Sequence, residues 1–438
     1  MFIHTVVSGD TLGDIARIYG TTTRELDHLN ELATLDVLVP GLHLLVPGRT
    51  RNVAQPYRIQ PGDSVASIAQ RIGISETNLE RWLGFRGTIG TDLTAGTTIW
   101  VPKPVPQKRT IEVNSYLLPS GKVHDVEIIQ GISNLTYLCI FSYQATTDGG
   151  LQIIPDQQAV RAAAQYNITP LMSVTNGPGF RPELAHTLIT NVSLREQFIR
   201  NIVNTAKQRG FRGVNVDFEH MNPGDRQPYN QFIHDLGNAV HAQGLSISIA
   251  MGPKTSDAPQ QPWMGAFDYK TLGAEVDFLM LMTYEWGWVG GPPMAIAPIN
   301  QVRAVLEYAT SVIPSNKILM GIPLYGYDWE LPHQPGGLAS GLSANDAQNL
   351  ALERQVPILW DNESASPYFL YDVDNKRHIV WFEDAMSVAA KFNLIFDFDL
   401  RGISYWVLPN SFPQNWNLLN DVFEIRKLAS ASESPFNS

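Results

Sequence analysis

Residues 213–219 read Gly213-Val214-Asn215-Val216-Asp217-Phe218-Glu219. Side chains alternate faces along a strand. Val214, Val216 and Phe218 therefore share one face, and Asn215, Asp217 and Glu219 share the other. The apolar face suits contact with helices. The polar face suits the inside of a barrel, where three stacked polar groups are costly unless they serve one another. Glu219 comes last, at the C-terminal end of the strand, where barrel active sites sit. The competing explanation is ordinary polar alternation on an exposed strand, and the apolar character of the neighbouring runs weighs against it.

Seven similar runs flank this one. They are Ile111–Leu117, Leu135–Tyr143, Thr169–Val174, Leu245–Ala250, Phe278–Thr283, Ile318–Pro323 and Gly402–Val407. Helical patterns fit between them, as at Asp156–Gln165, Leu194–Arg209 and Pro228–Gln243. Near-continuous apolar strands alternating with helices mean a parallel sheet covered by helices. Eight such units predict an α/β fold, a closed (β/α)8 TIM barrel over residues 111–428. An open doubly wound sheet is the runner-up, but no Gly-x-Gly-x-x-Gly follows a first strand. The gap before the last strand is too long for one loop and helix, so a small α+β lobe is expected at about 327–378. Glu383–Phe392 then supplies the last helix before the final strand.

The segment at 213–219 resembles the Asp-x-x-Asp-x-Asp-x-Glu signature of family 18 glycoside hydrolases. Arg212, Asn215, Asp217 and Glu219 fall on or beside its polar positions. Met280-Leu281-Met282-Thr283-Tyr284-Glu285 resembles the family's Met-x-Tyr motif, and Gly321-Ile322-Pro323-Leu324-Tyr325-Gly326 its seventh-strand end. Trp406, in Ile403-Ser404-Tyr405-Trp406, matches its tryptophan floor, although spacing alone leaves simple core packing open.

The resemblance implies catalysis by Glu219, Asp217, Tyr284 and Asn215. Substrate contacts would come from Trp406, Met282, Glu285, Tyr325 and Tyr143. Glu219 would protonate the glycosidic oxygen, and the substrate's own acetamido carbonyl would attack the anomeric carbon. Asp217 would orient that amide, and Tyr284 would hydrogen-bond its carbonyl. This substrate-assisted route is an exception to the two-carboxylate scheme. Asn215 departs from the commoner Asp. It can hydrogen-bond Asp217 but cannot ionise. Glu285 replaces the more usual Asp or Asn.

The amino terminus holds an internal repeat. Val7-Ser8-Gly9-Asp10-Thr11-Leu12-Gly13-Asp14-Ile15-Ala16 returns as Gln60-Pro61-Gly62-Asp63-Ser64-Val65-Ala66-Ser67-Ile68-Ala69, and Leu45-Val46-Pro47 returns as Trp100-Val101-Pro102. Each copy predicts a βααβ unit: a strand ending at a Gly-Asp turn, a helix capped by Asp or its Thr/Ser neighbour, a second helix and a closing strand. The copies, 3–47 and 57–102, resemble LysM modules, with 103–110 as a Pro-containing linker. That resemblance implies binding of N-acetylglucosamine chains through Gly9, Asp10, Thr11, Leu12 and Asn30 in the first copy. The second would use Gly62, Asp63, Ser64 and Val65. The alternative is that the Gly-Asp pairs only shape turns.

Composition sets outer limits. The chain has 438 residues, 42 acidic against 31 basic, for a net charge of −11. That excludes nucleic-acid binding through a broad basic surface, and charge-driven binding to an anionic membrane. No apolar run is long enough to span a bilayer, and no basic-then-apolar leader opens the sequence. The single cysteine, Cys139, reads as a buried core thiol. His220, His234 and His241 form no His-Glu-x-x-His pattern, so no metal and no cofactor are expected.

Paired LysM modules before a family 18 barrel resemble the spore-cortex-lytic N-acetylglucosaminidases of spore-forming bacteria. The resemblance implies action on spore peptidoglycan. It also implies synthesis in the mother-cell cytoplasm and deposition in the coat or cortex region of the spore. A chitinase and a catalytically inactive glycan-binding spore-coat protein are the alternatives. The presence of Glu219 disfavours the second.

Overall fold

A computed structural model of the chain describes residues 1–34, 37–85, 93–132 and 134–428. Eight parallel strands close into a barrel: β1 (Arg109–Leu117), β2 (Tyr137–Ala145), β3 (Thr169–Thr175), β4 (Gly213–Asp217), β5 (Ser246–Met251), β6 (Phe278–Leu281), β7 (Ile318–Pro323) and β8 (Gly402–Leu408). Each pairs with the next in sequence, and β8 returns to β1 with Ser404 opposite Asn114.

Val214, Val216 and Phe218 pack outward. The Phe218 ring lies 6.3 Å from Phe198 and 5.6 Å from Phe232, on the helices Val192–Arg209 and Arg226–His241. The first of these helices is bounded by Asn191, whose side chain accepts from the Leu194 amide, and by left-handed Gly210. Inside the barrel, Tyr116, Tyr137, Cys139, Leu171, Phe278, Met280 and Leu319 form a separate apolar core. Cys139 is fully buried there.

Between β7 and β8 the chain builds a lobe of five antiparallel strands. In spatial order they are Ser340–Ser343, Tyr325–Leu331, Lys376–Trp381, Ser366–Val373 and Leu359–Asp361, with the helix Ala344–Arg354 beside them. The lobe begins two residues after β7 ends, so Tyr325 stands at the barrel mouth.

The repeats form two βααβ modules. In the first, Phe2–Thr5 pairs with His43–Val46. In the second, Arg51–Arg58 pairs with Thr98–Val105. Thr11, Thr22, Ser64 and Ser75 cap the four helices. The expected spacer at 103–110 is much shorter. The prolines at 102 and 104 fall in a strand paired on one side only, where a missing N–H is tolerated. Only residues 106–108 separate that strand from β1.

Both modules are fixed to the barrel. His43 Nδ1 lies 2.5 Å from the Asp384 carboxylate, and both side chains are buried. Ile358 N–H donates to the Pro40 carbonyl at 2.9 Å, and Trp100 Nε1–H to the Asn362 carbonyl at 3.1 Å. Gln414 Nε2 reaches Asn30 Oδ1 (2.8 Å), the His43 carbonyl (3.0 Å) and Gln348 Oε1 (3.0 Å). The modules also touch each other. Thr5 Oγ1 donates to the Trp82 carbonyl at 2.5 Å, and the Phe2 and Trp82 rings stand edge to face at 5.2 Å. No helix among the described residues is long and apolar enough to cross a membrane.

Candidate active site

The strand β4 turns Asn215 and Asp217 into the barrel, and the chain leaves the strand so that Glu219 stands at its C-terminal mouth. Asn215 is fully buried. Its Oδ1 accepts from Tyr116 Oη (3.0 Å) and Ser173 Oγ (3.4 Å), while Nδ2 faces Ser248 Oγ (3.2 Å) and Met280 Sδ (3.4 Å). The expected hydrogen bond from Asn215 to Asp217 is not formed, because those four groups take the amide instead. Asn215 anchors the layer beneath the acids.

Asp217 is buried, and its Oδ1 has no hydrogen-bond partner. Burial raises its carboxyl from 3.8 to about 7. An unpartnered carboxyl oxygen in a closed site is a receptor for a donor that the protein does not supply. The Glu219 carboxyl is held well above the ordinary 4.5, first by burial, then by the charges of Asp217 and Glu285. Two carboxyls pushed up in this way share one negative charge or none at neutral pH.

Asn176 supports the acid from β3. Its Oδ1 accepts from the Glu219 N–H at 3.1 Å and its Nδ2 donates to the Glu219 carbonyl at 2.9 Å. Neither Asn176 nor Tyr116 stood out in the sequence. A polar residue directly after Val174-Thr175, at the C-terminal end of a barrel strand, was the available signal for Asn176.

Tyr284 follows β6 and faces the same space. Burial and then the charges of Asp217, Glu219 and Glu285 keep its hydroxyl protonated. It fits because β7 carries glycine beside it: a Cβ on Gly321 would lie 2.8 Å from Tyr284 Cε1 and 2.4 Å from the Leu281 carbonyl oxygen. Met282 lies half-buried on the same loop, its N–H donating to the Met251 carbonyl at 3.0 Å. Glu285 accepts from the hydroxyls of Tyr325 and Tyr327, the latter at 2.9 Å, so the lobe reaches the site through this carboxylate. Trp406 lies two residues before the end of β8, its ring 5.3 Å from Tyr116 and 4.9 Å from Phe141. It belongs both to the barrel's inner core and to a cluster at the mouth with Tyr284, Tyr325 and Trp329.

Two expected contacts fall elsewhere. Tyr143 is fully buried on the outer side of the barrel wall, where its hydroxyl donates to Asp156, which also binds Arg209, and its ring packs on Phe211. It is a wall residue and cannot touch substrate. Asn30 is fully buried too, bonded to the carbonyls of Leu26 and Leu45 and to Gln414. The barrel covers it.

Of the other module residues, Gly9, Thr11, Gly62 and Ser64 are exposed, whereas Leu12 and Val65 point into the module cores. Asp10 takes the Val7 N–H (2.9 Å), and Asp63 the Gln60 N–H (2.8 Å) and Tyr57 hydroxyl (2.8 Å). These carboxylates organise the turns, which leaves mainly backbone groups to face a ligand. His220 sits against Phe180 and Trp263. Among the described residues no group of three His, Cys, Asp or Glu side chains is arranged to hold a metal ion.

Comparison with known proteins matches this architecture. The model for Glycosyl hydrolases family 18 matches residues 120–410, and that for the LysM domain matches 4–47 and 57–102. The chain is 42% identical to the cortical fragment-lytic enzyme of Bacillus subtilis (strain 168), over 98% of this chain and 99% of that one. The crystal structure of the Bacillus cereus spore cortex-lytic enzyme SleL superposes with a TM-score of 0.81 at 37% identity, covering 97% of this chain and 98% of that one. A chitinase structure from Chromobacterium violaceum gives 0.65 at 29% identity, covering 71% of this chain and 98% of that one.

Proposed function

The chain belongs to family 18 of the glycosyl hydrolases, and from that premise we propose that it cleaves β-1,4 bonds after N-acetylglucosamine in spore-cortex peptidoglycan by retaining, substrate-assisted catalysis. It is a glycoside hydrolase. The Asp217–Glu219 pair carries the chemistry. Glu219, protonated because it is buried beside Asp217 and Glu285, donates its proton to the glycosidic oxygen. The substrate acetamido oxygen attacks the anomeric carbon and forms an oxazolinium ion. Asp217 Oδ1, which has no partner in the protein, accepts the amide N–H and stabilises the developing positive charge. Tyr284 donates to the acetamido oxygen. Glu219, now ionised, deprotonates the water that opens the ring.

The choice of polymer rests on likeness to cortical fragment-lytic enzymes across both the modules and the barrel. In this reading the modules hold the enzyme to glycan strands through the exposed backbone at Gly9–Thr11 and Gly62–Ser64. The protein acts in the spore, and the mother-cell cytoplasm is its place of synthesis. The second reading is a chitinase, favoured by the likeness of the barrel to that of Chromobacterium violaceum. Mass spectrometry of products from spore cortex, cortex fragments, vegetative wall and chitin separates the two. Products ending in reducing N-acetylglucosamine from cortex are expected. Release from chitin alone would overturn the cortex reading.

A further inference from the structure

Both modules and the lobe meet around a hollow of about 200 Å³. Trp82, Phe85 and Trp100 of the second module wall it, with His43 of the first and Ile358 and Trp360 of the lobe. None of its lining residues belongs to the cleft. Trp360 lies on the strand Leu359–Asp361, at the edge of the lobe's sheet, separated by two strands from the one that carries Tyr325.

The walls are held by close contacts between distant parts of the chain. A Cβ on Gly41 would lie 1.9 Å from the Ile358 carbonyl oxygen, so only glycine lets the first module approach the lobe this closely. Trp82 Nε1–H donates to the Trp100 carbonyl at 3.0 Å, and Trp100 Nε1–H to the Asn362 carbonyl at 3.1 Å. The hollow is therefore preorganised.

Two polar groups there are left unused. His43 is 6% exposed and spends Nδ1 on Asp384, while its Nε2 has no hydrogen-bond partner among the described residues. Trp360 stands edge to face with His43 at 5.2 Å, and its indole N–H is also unpaired among the described residues. The lining carries no Asp, Glu, Lys or Arg. Aromatic walls, a few polar groups and no fixed charge receive an uncharged ligand with apolar faces and hydrogen-bonding edges. A pyranose ring is such a ligand, and a peptide stem ending in a carboxylate is not. The volume falls below the ~300 Å³ of drug-sized sites, which suits one ring of a longer ligand. A second hollow adjoins this one at Thr5 and Phe85 and extends to Val7 and Asp10, beside the Gly9–Thr11 turn.

We infer that the hollow is a further contact for the glycan strand, separate from the cleft and from the two Gly-Asp turns. It seats one uncharged N-acetylated pyranose, with Trp360 against the apolar face and His43 Nε2 at the hydroxyl edge. This rests on the reading of the chain as a glycan hydrolase whose first module holds a strand at Gly9–Thr11. A strand held there runs along the seam between the modules and arrives at the lobe.

The test uses the full chain carrying Glu219→Gln, labelled with fluorotryptophan and followed by fluorine NMR. Chitotriose should shift the signals of Trp360 and Trp100 as well as that of Trp406 in the cleft. Trp360→Ala should raise the dissociation constant read at Trp100 about tenfold, the scale of one aromatic contact, relative to the constant read at Trp406. That second signal also reports that the variant is folded, and Trp360→Phe should restore most of the loss. A muramyl dipeptide, which carries a stem carboxylate, should leave Trp100 and Trp360 unmoved at the same concentration. Shifts at Trp406 without shifts at Trp100 and Trp360 would overturn the seam site, and equal response to the muramyl dipeptide would overturn its preference for an uncharged ring. No shift at any tryptophan would instead overturn the glycan reading on which the site rests.

Discussion

The side chain of Asn176 grips the backbone of Glu219 at both ends, accepting from its N–H at 3.1 Å and donating to its carbonyl at 2.9 Å. Glu219 lies beyond the last hydrogen-bonded residue of β4, so this pair of bonds does what the sheet does for Asp217. It fixes where the acid stands.

Asn176 is accordingly a positioning residue. Asn176→Ala should lower kcat by about ten- to a hundredfold, the effect of displacing a reacting group by a fraction of an ångström to an ångström. KM should move less, and the alkaline limb of the pH profile should stay in place. Steady-state kinetics across pH, with a melting curve as control, checks this. A shifted limb would mean that Asn176 tunes the acid rather than placing it.

The buried acids carry a cost in stability with a definite sign. Folding raises Asp217 from 3.8 to about 7 and Glu219 well above 4.5. The folded protein therefore binds more protons than the unfolded chain over that interval. Their contribution is most favourable below about pH 4 and is lost as pH rises through about 7 and beyond. Asp217→Asn should raise the melting temperature at about pH 8 by about 2 °C or more, leave it nearly unchanged at about pH 4, and remove activity. Thermal melts at the two pH values decide it. Equal shifts at both would point to a cause other than ionisation.

Glu285 helps keep Glu219 protonated through its charge. Glu285→Gln removes that charge yet still offers an oxygen to Tyr325 and Tyr327. The alkaline limb of kcat/KM should move to lower pH, while the rate on the acid side is largely kept. A pH–rate profile on soluble fragments measures this, and an unmoved limb would uncouple the two carboxyls.

Gln414 joins the first module to the barrel through Asn30, His43 and Gln348. Gln414→Ala leaves buried groups unpaired and should cost about 2 kcal/mol of stability. Turnover of soluble fragments should stay within about twofold at a temperature where the variant is folded. Denaturant unfolding beside kinetics checks this. Unchanged stability would show that the junction is supported by its apolar contacts alone.

The barrel was legible because its signal is local. Each apolar run predicted a strand, and observed strand ends at Thr169, Gly213, Phe278, Ile318 and Pro323 coincide with the predicted ones. The site was legible where alternation on β4 orders Asn215 and Asp217. What stayed hidden depends on partners distant in sequence. Asn30 aligns with a ligand-facing position, yet its amide is taken by the Leu26 and Leu45 backbone of its own module and by Gln414, 384 residues later. Tyr143 ends an apolar run without revealing its face, because a register shift in the β2–β3 pairing between Ile140 and Tyr143 breaks simple alternation. Pro104 reads as part of a spacer because composition does not say that a strand is already waiting to pair with it, at Asn52.

The chain between the second module and β1 is three residues long, 106–108, and on the near side of it Trp100 is bonded to the lobe and Lys103 to the barrel helix that carries Asn393. Anchor and blade therefore move as one body. If the modules grip a glycan strand as proposed, the cleft would have no radius to sweep and would meet only bonds at one set distance and bearing from the grip. To cut elsewhere the whole enzyme must let go and re-seat, so the rate at which the modules release would set the stride along the wall.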